Sequence, residues 1–301
     1  MVYLIMNGED KLVTYGGQAV IEGVMMRGRS SLAIAMREPG GDIRIHTQKL
    51  GGIYKSSLSK IPFLRGLILL WDALGLGMTA LTISANTQTG EDENLEGPAL
   101  YLTLGLSMVV GIGFFFLLPA GIGYLSEHFI HLSSWVSNLV EGIIRLLFLI
   151  GYIWAVGFMP DIRRVFGYHG AEHKTINAFE AGVELTPENV ALHSRQHARC
   201  GTAFLLTLAL ISILVFTLIG PISSIWWRLI SRILLIPVIA GISYEYIRWT
   251  ASHMDSKLVC TLIKPNLALQ NLTTREPDLK MLEVAIAAFK SMKIEEENLV
   301  L

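Results

Sequence analysis

Between residues 169 and 200 the chain gathers the side chains best able to do chemistry. The stretch Gly167–Gly182, GYHGAEHKTINAFEAG, carries His169, Glu172 and His173, and the residues that follow bring His193, His197 and Cys200. Helical residues four apart share one face. The first His pair can therefore offer two neutral imidazoles to one divalent ion, with Glu172 on the same side. H-x-x-E-H is the inverted form of the zinc-metalloprotease signature, in which histidines hold the metal and the glutamate polarises or deprotonates a bound water. His193 and His197 repeat the spacing, and Cys200 follows three residues later. Cys200 is open to three roles: thiolate ligand, nucleophile, or neither. The His/Cys donor set favours zinc, with iron, nickel and manganese as alternatives. A plainer account also exists, because a five-residue motif arises by chance and paired histidines can simply bond backbone or lipid headgroups. Two His pairs together with a cysteine and a glutamate favour the metal.

Positioning these groups requires two short helices. Gly182 is a natural stop for the first. Thr186 as N-cap and Pro187 at the first helical position begin the second, which is expected to carry His193 and His197 on one face. Both helices lie between apolar runs near the roughly 20 residues that span a bilayer. Spanning helices are expected at about 99–123, 141–159, 203–222 and 229–249. The run 61–86 is weaker, since it holds Arg65, Asp72 and three glycines. A charge at membrane depth costs several kcal/mol unless shielded, so this run is read as re-entrant or packed inside the bundle. Asp72 is either a functional group or a partner for Arg65. Glu245, in ISYEYIRW near the inner end of the last span, is a candidate third metal ligand. An ion path is poorly served by Asp72 and Glu245 alone, and the chain has no internal repeat.

Only 16% of the 301 residues are charged, against about 25% in soluble domains. The net charge of −1 gives no basic field for nucleic acid. Cys200 and Cys260 offer no disulfide framework, and the first 20 residues lack the parts of a signal peptide. Nine Lys and Arg fall within residues 11–65, five more within 160–200, and none within 124–140. By the positive-inside rule, four crossings place the N-terminal part, the His-rich loop and the C-terminal tail together in the cytoplasm. A crossing by 61–86 would separate them. The bilayer is thus the first partner, and a homo-oligomer is left open.

Residues 1–60 read as a small β-containing cap. Strands at 32–38 and 42–48 flank Pro39-Gly40-Gly41, and Ile34, Met36, Ile43 and Ile45 are expected to form one apolar face. Glu22 and Arg27 read as a turn-stabilising ion pair, with reach into the site as the alternative. Residues 61–250 form the helix bundle, including the insertion 160–202. Within it Arg163 and Arg164 are expected at lipid phosphates, and Lys174, Arg195 and Arg199 suit an anionic headgroup. The phenylalanine run 114–116 is expected to face lipid. The tail, 251–301, contains an amphipathic helix over 278–293, with apolar residues at 279, 282, 286 and 289. It is expected to dock on the cap or lie on the membrane. The fold class is therefore mainly α: a polytopic bundle of four or five transmembrane or re-entrant helices with a small β-containing cap and a helical loop and tail.

Five ordered motifs resemble the DUF1385 family: GGQAVIEGVMMRG (Gly16–Gly28), GYHGAEHKTINAFEAG, HSRQHARCGTAF (His193–Phe204), AGISYEYIR (Ala240–Arg248), and LQNLTTREPD with LEVAIAA (Leu269–Ala288). The resemblance runs from about residue 13 to 292. The family pattern has a proline where this chain has Ala198, which removes no candidate ligand. The resemblance implies a bacterial cytoplasmic-membrane protein of a group described as metal-dependent enzymes. It places His169, Glu172, His173, His193, His197 and Cys200 on motif positions, and likewise Glu22, Arg27 and Glu245. The function expected is metal-dependent hydrolysis of a membrane-protein or lipid-like substrate, with Glu172 as general base. The alternative is a non-catalytic factor for membrane-protein assembly or insertion, with a structural metal.

Overall fold

The computed structural model describes residues 15–50, 61, 63–89, 98–197, 200–220, 222 and 224–299. The fold begins with four strands, β1 (Gly16–Val20), β2 (Gly23–Arg27), β3 (Ser31–Arg37) and β4 (Ile43–Lys49), paired antiparallel in sequence order. The expected hairpin is β3–β4, with Gly41 at positive φ in its turn. Its register pairs Ala35 with Ile45 and Arg37 with Ile43. Directly paired residues share a sheet face, so Ile43 and Ile45 stand with Ala35 and not with Ile34 and Met36. The single apolar face expected for these four is corrected to two faces, because β3 is covered on both sides.

One side is covered by α1 (Leu64–Thr89), whose Ala80 enters a core with Val20, Met25, Leu32, Ile34 and Met36. The other is covered by α5 (Pro160–Glu180) and α12 (Leu279–Asn298), through Val24, Met26, Ala33, Ala35, Tyr168, Leu282, Val284 and Phe289. The amphipathic tail helix thus docks on the sheet. Leu282, Ile286 and Phe289 are buried there as the spacing predicted, whereas Leu279 stays exposed.

Between these parts run the apolar helices. Leu102–Phe129 is one continuous stretch, built of α2 (Pro98–Ile112), a π-helical turn at Gly113–Leu117, and α3 (Leu118–Phe129). With α4 (Ser134–Val156) and α7 (Gly201–Ile219) it makes three helices long and apolar enough to cross a bilayer. The expected last span is broken into α8 (Ile225–Leu234) and α9 (Ile236–Ala251), bent by 42°, and the pair counts as a fourth if taken as one span. Pro237 in the first turn of α9 accounts for the break, since it cannot donate back into α8. Two shorter helices, α10 (Lys257–Leu262) and α11 (Lys264–Thr273), return the chain to α12.

The polarity of α8 is inverted relative to a helix on a soluble protein. Trp226 and Trp227 are 72% and 66% exposed, while Arg228 and Arg232 are each 1% exposed. An apolar exterior with charges turned inward is what a hydrocarbon surrounding demands. Because the sheet, α5 and α12 share one core, they lie on one side of any bilayer that these helices cross. Helix α1 packs on the sheet through its second half, while Arg65 at its start pairs with Glu245 of α9.

Candidate metal centre

Helix α5 carries the first His pair. Pro160 opens it, and Gly182, at φ +70°, closes it while the Val183 amide bonds back to the Ala178 carbonyl at 3.1 Å. Gly170 has a spatial duty: a Cβ there would stand 2.2 Å from the Arg275 carbonyl oxygen. Its absence lets the extended segment after α11 lie against α5, where the Arg275 amide bonds the Phe166 carbonyl at 2.8 Å.

That approach sets the histidines. His169 Nδ1 donates to the Thr273 carbonyl at 2.8 Å, and His173 Nδ1 donates to the Arg195 carbonyl at 2.6 Å. A carbonyl only accepts, so Nδ1 of each ring is a donor, and the neutral form of each ring has its lone pair on Nε2. His169 Nε2 lies 3.3 Å from Cys200 Sγ. His173 Nε2 is buried and has no hydrogen-bond partner among the described residues. Cys200 is the N-cap of α7, and its sulfur accepts from the Thr202 amide at 3.4 Å. Helix N-termini favour negative charge. The donor atoms of His169, His173 and Cys200 all lie within 4.8 Å of one another, which one ion can bridge after small side-chain adjustments. Backbone carbonyls on the far nitrogens are the orienting contacts seen behind metal-bound histidines.

The other candidates fall elsewhere. Helix α6 spans only Pro187–Ala191, so the Thr186 cap forms but His193 and His197 lie beyond the helix and share no helical face. His197 is buried with its ring 5.8 Å from that of His173, and its Nε2 is 3.7 Å from a Glu180 carboxylate oxygen. Neither residue joins the three-donor group. Glu245 does not serve it either, because its carboxylate takes the Arg65 guanidinium, with Nε–Oε1 at 2.7 Å, and the Phe63 amide at 3.2 Å. The expected third ligand is thus the counter-ion of Arg65. Asp72 lies in α1 with its side chain outside the described residues, and Arg199 lies outside them altogether.

Glu172 is turned toward β1, on the flank of α5 beside the imidazoles, and stands apart from the three donors. It accepts the Gly17 amide, and its Oε2 is buried without a partner. Burial raises its carboxyl to about 7, with His169 and the Gly17 amide pulling the other way. A Cβ on Gly17 would lie 2.5 Å from the Met25 carbonyl oxygen and 3.0 Å from Glu172. The glycine-rich start of β1 is what admits the carboxylate.

Glu22 sits at positive φ in the β1–β2 turn, and its partner is Arg164 of α5. The Arg164 hydrogen bonds hold its carboxyl below the ordinary range. Arg164 is therefore committed to the sheet and not to lipid phosphate. Arg27 lies at the far end of β2, opposite Gly16 and Leu32. Lys174, expected near an anionic headgroup, is buried and donates to the Ala191 carbonyl at 2.7 Å. The sequence reading omitted the Thr273 and Arg195 carbonyls, which carry no residue-type signal.

It also omitted a second polar cluster, inside the apolar bundle. Glu141 of α4 accepts from Arg145 at 2.9 Å, from Arg232 at 2.8 and 2.7 Å, and from Arg228 at 3.4 Å. Asn138 and Ser137 add acceptors, and Arg145 Nε donates to the Phe115 carbonyl in the π-helical turn at 3.1 Å. Phe116 and Phe216 lie under the guanidiniums, so the phenylalanine run is not wholly lipid-facing. The i,i+4 spacing of Glu141 with Arg145, and of Arg228 with Arg232, was the available signal.

A family model described as "Protein of unknown function (DUF1385)" matches residues 61–295. The uncharacterized protein YqhQ of Bacillus subtilis (strain 168) is 37% identical over 298 residues, covering 92% of each chain. No solved structure matches the chain.

Proposed function

The chain belongs to the DUF1385 family, and we propose that it is a multi-pass protein of the bacterial cytoplasmic membrane whose His169–His173–Cys200 centre holds one divalent ion for hydrolytic chemistry. A single observation carries this reading: two imidazoles are each fixed through Nδ1 to a carbonyl and share one three-donor group with a thiol, His169 through its Nε2. Three protein donors with a fourth position open is the pattern of catalytic zinc sites, while closed sets of four are structural. A bound zinc would lower the pKa of its water and polarise a substrate carbonyl. The chain's own groups supply the rest. His169 and His173 enter as neutral donors with fixed tautomers, Cys200 as the thiolate. Glu172, with Oε2 uncommitted, is the group beside the site able to take a proton from water and return it to a leaving group. The basic residues of the N-terminal part, the 160–200 region and the tail support a cytoplasmic position for this unit. There it meets the membrane surface at the start of α7, which suits a membrane-protein or lipid-like substrate.

The test is turnover beside metal content on detergent-purified protein presented with lipid and peptide ester or amide substrates. Glu172→Gln is expected to keep its metal and lose hydrolysis by roughly 100-fold or more. Full hydrolysis by that variant sinks the mechanism. A second reading, a non-catalytic assembly factor with a structural metal, is favoured by one specific observation. The donors come from α5 and α7, so an ion would pin the sheet-bearing unit to an apolar helix. Under this reading a membrane partner co-purifies with wild type and is lost when His169→Ala removes the metal.

A further inference from the structure

The motif LQNLTTREPD (Leu269–Asp278) has so far contributed the Thr273 carbonyl and the backbone of Arg275. Its second residue, Gln270, is fully buried on α11. Burying an amide is costly unless its bonds are satisfied, and here they are satisfied in a particular way. The His197 amide donates to Gln270 Oε1 at 2.9 Å, and Gln270 Nε2 donates to the His197 carbonyl at 2.8 Å. One side chain thus grips both polar groups of a single backbone residue, in a segment where neither helix nor strand supplies them.

Each donor of the metal centre is within a bond or two of this grip. The His197 carbonyl also accepts the Cys200 amide at 3.3 Å, which ties the clamp to the residue carrying the thiol. Two residues before His197 is Arg195, whose carbonyl orients His173. The backbone carbonyl of Gln270 accepts from the Thr274 amide at 2.8 Å and the Thr274 hydroxyl at 2.6 Å. Those bonds fix the end of α11, from which the Thr273 carbonyl reaches His169. Gln270 is therefore bonded, through the backbone, to the supports of all three donors.

We infer that Gln270 is a positioning residue of the metal centre, setting the distance between the thiol of Cys200 and the two imidazoles. The inference rests on the reading of His169, His173 and Cys200 as ligands. A leucine at 270 fills the same space but leaves the His197 amide without its partner and the His197 carbonyl with the Cys200 amide alone. Arg195, His197 and Cys200 then lose their register against α5, and the ligand set opens. Contacts behind the ligands are typically worth 10–100-fold in metal affinity.

Cobalt(II) titration of the full chain in detergent tests this, because thiolate-to-cobalt charge transfer and the d–d bands report both affinity and ligand geometry. Wild type is compared with Gln270→Leu and with Asn266→Leu. Asn266 is a buried residue on the same helix that bonds Thr207, outside the centre, and controls for general damage to α11. Gln270→Leu is expected to weaken cobalt binding by 10–100-fold and to alter the bands, while Asn266→Leu leaves both unchanged. Binding by Gln270→Leu within twofold of wild type, with the same bands, overturns the inference. The same holds if Asn266→Leu weakens binding equally. Absence of cobalt binding in wild type overturns the ligand reading itself, and the clamp's role with it. Should Gln270→Leu fail to fold, Gln270→Glu keeps the volume and the bond from the His197 amide, loses the donor, and decides the matter by the same readout.

Discussion

Glu172 is held inside the protein with one oxygen on the Gly17 amide and the other without a partner, and burial raises its carboxyl to about 7. Raised above its unfolded value of 4.5, the group binds its proton more tightly in the folded state. Its contribution to stability is therefore fully present below about pH 4.5 and is lost as pH rises through about 7. For metal-free protein, thermal unfolding across that window should show stability falling by at most about 3 kcal/mol, and Glu172→Gln should flatten the dependence. An unchanged pH profile in the variant would remove Glu172 as its source. At this scale the His169/His173 pair was legible, because helical spacing alone puts two imidazoles on one face. The tautomers were not, because they are set by carbonyls at residues 195 and 273, which α11 and the loop bring in from a distance. Glu172 was legible as a candidate on the same side as the pair, but its turn toward β1 depends on Gly17, 155 positions earlier in the chain.

Among the elements, β1 and α8 make the sharpest demands on particular residues. Gly17→Ala would drive a methyl group into the Met25 carbonyl and the Glu172 side chain. It should cost about 1–3 kcal/mol, read as a lowered unfolding midpoint, with weaker metal binding as β1 shifts against α5. In the bundle, Glu141 is the shared counter-charge of Arg145, Arg228 and Arg232. Removing one partner of a buried pair typically costs 3–5 kcal/mol, so Glu141→Leu should sharply lower the midpoint of thermal unfolding in detergent. A shift of only a degree or two would show the arginines to be paired otherwise. The sequence disclosed the apolar runs, but not that the last is divided at Leu235–Pro237. A strongly apolar average conceals a ten-residue helix whose two arginines point inward. The second His pair was misplaced for a related reason: Thr186 and Pro187 announce a helix start faithfully, yet nothing local announced that it stops at Ala191.

For the molecule as a whole, the shared core of β2, β3, α5 and α12 ties distant parts of the chain into one unit. That core joins residues 24–35, 168–178 and 281–292, segments too far apart for any window of sequence to connect. It keeps the sheet, the His-bearing helix and the tail on one side of any bilayer that the apolar helices cross. Cysteines added one at a time in a Cys260→Ser background, where the buried Cys200 is the other thiol, should report this in intact cells. Thr47→Cys, Glu184→Cys and Glu295→Cys should share one accessibility to an impermeant thiol reagent, and His128→Cys, between α3 and α4, the opposite one. Labelling of Thr47→Cys together with His128→Cys, and not with Glu184→Cys, would break the topology. The same core packs the N-terminal strands, the His-bearing helix and the tail together: α5 carries His169 and His173 as well as the sheet-facing Tyr168 and Ala171.

The central claim is that His169, His173 and Cys200 hold one divalent ion, and metal content by mass spectrometry tests it most directly. Wild type, His169→Ala, Cys200→Ser and Glu172→Gln would be purified in detergent without chelators. About one zinc-class ion per chain in wild type and in Glu172→Gln, with loss in the other two, is the predicted result. Wild type without metal, or metal retained equally in His169→Ala and Cys200→Ser, would contradict the account.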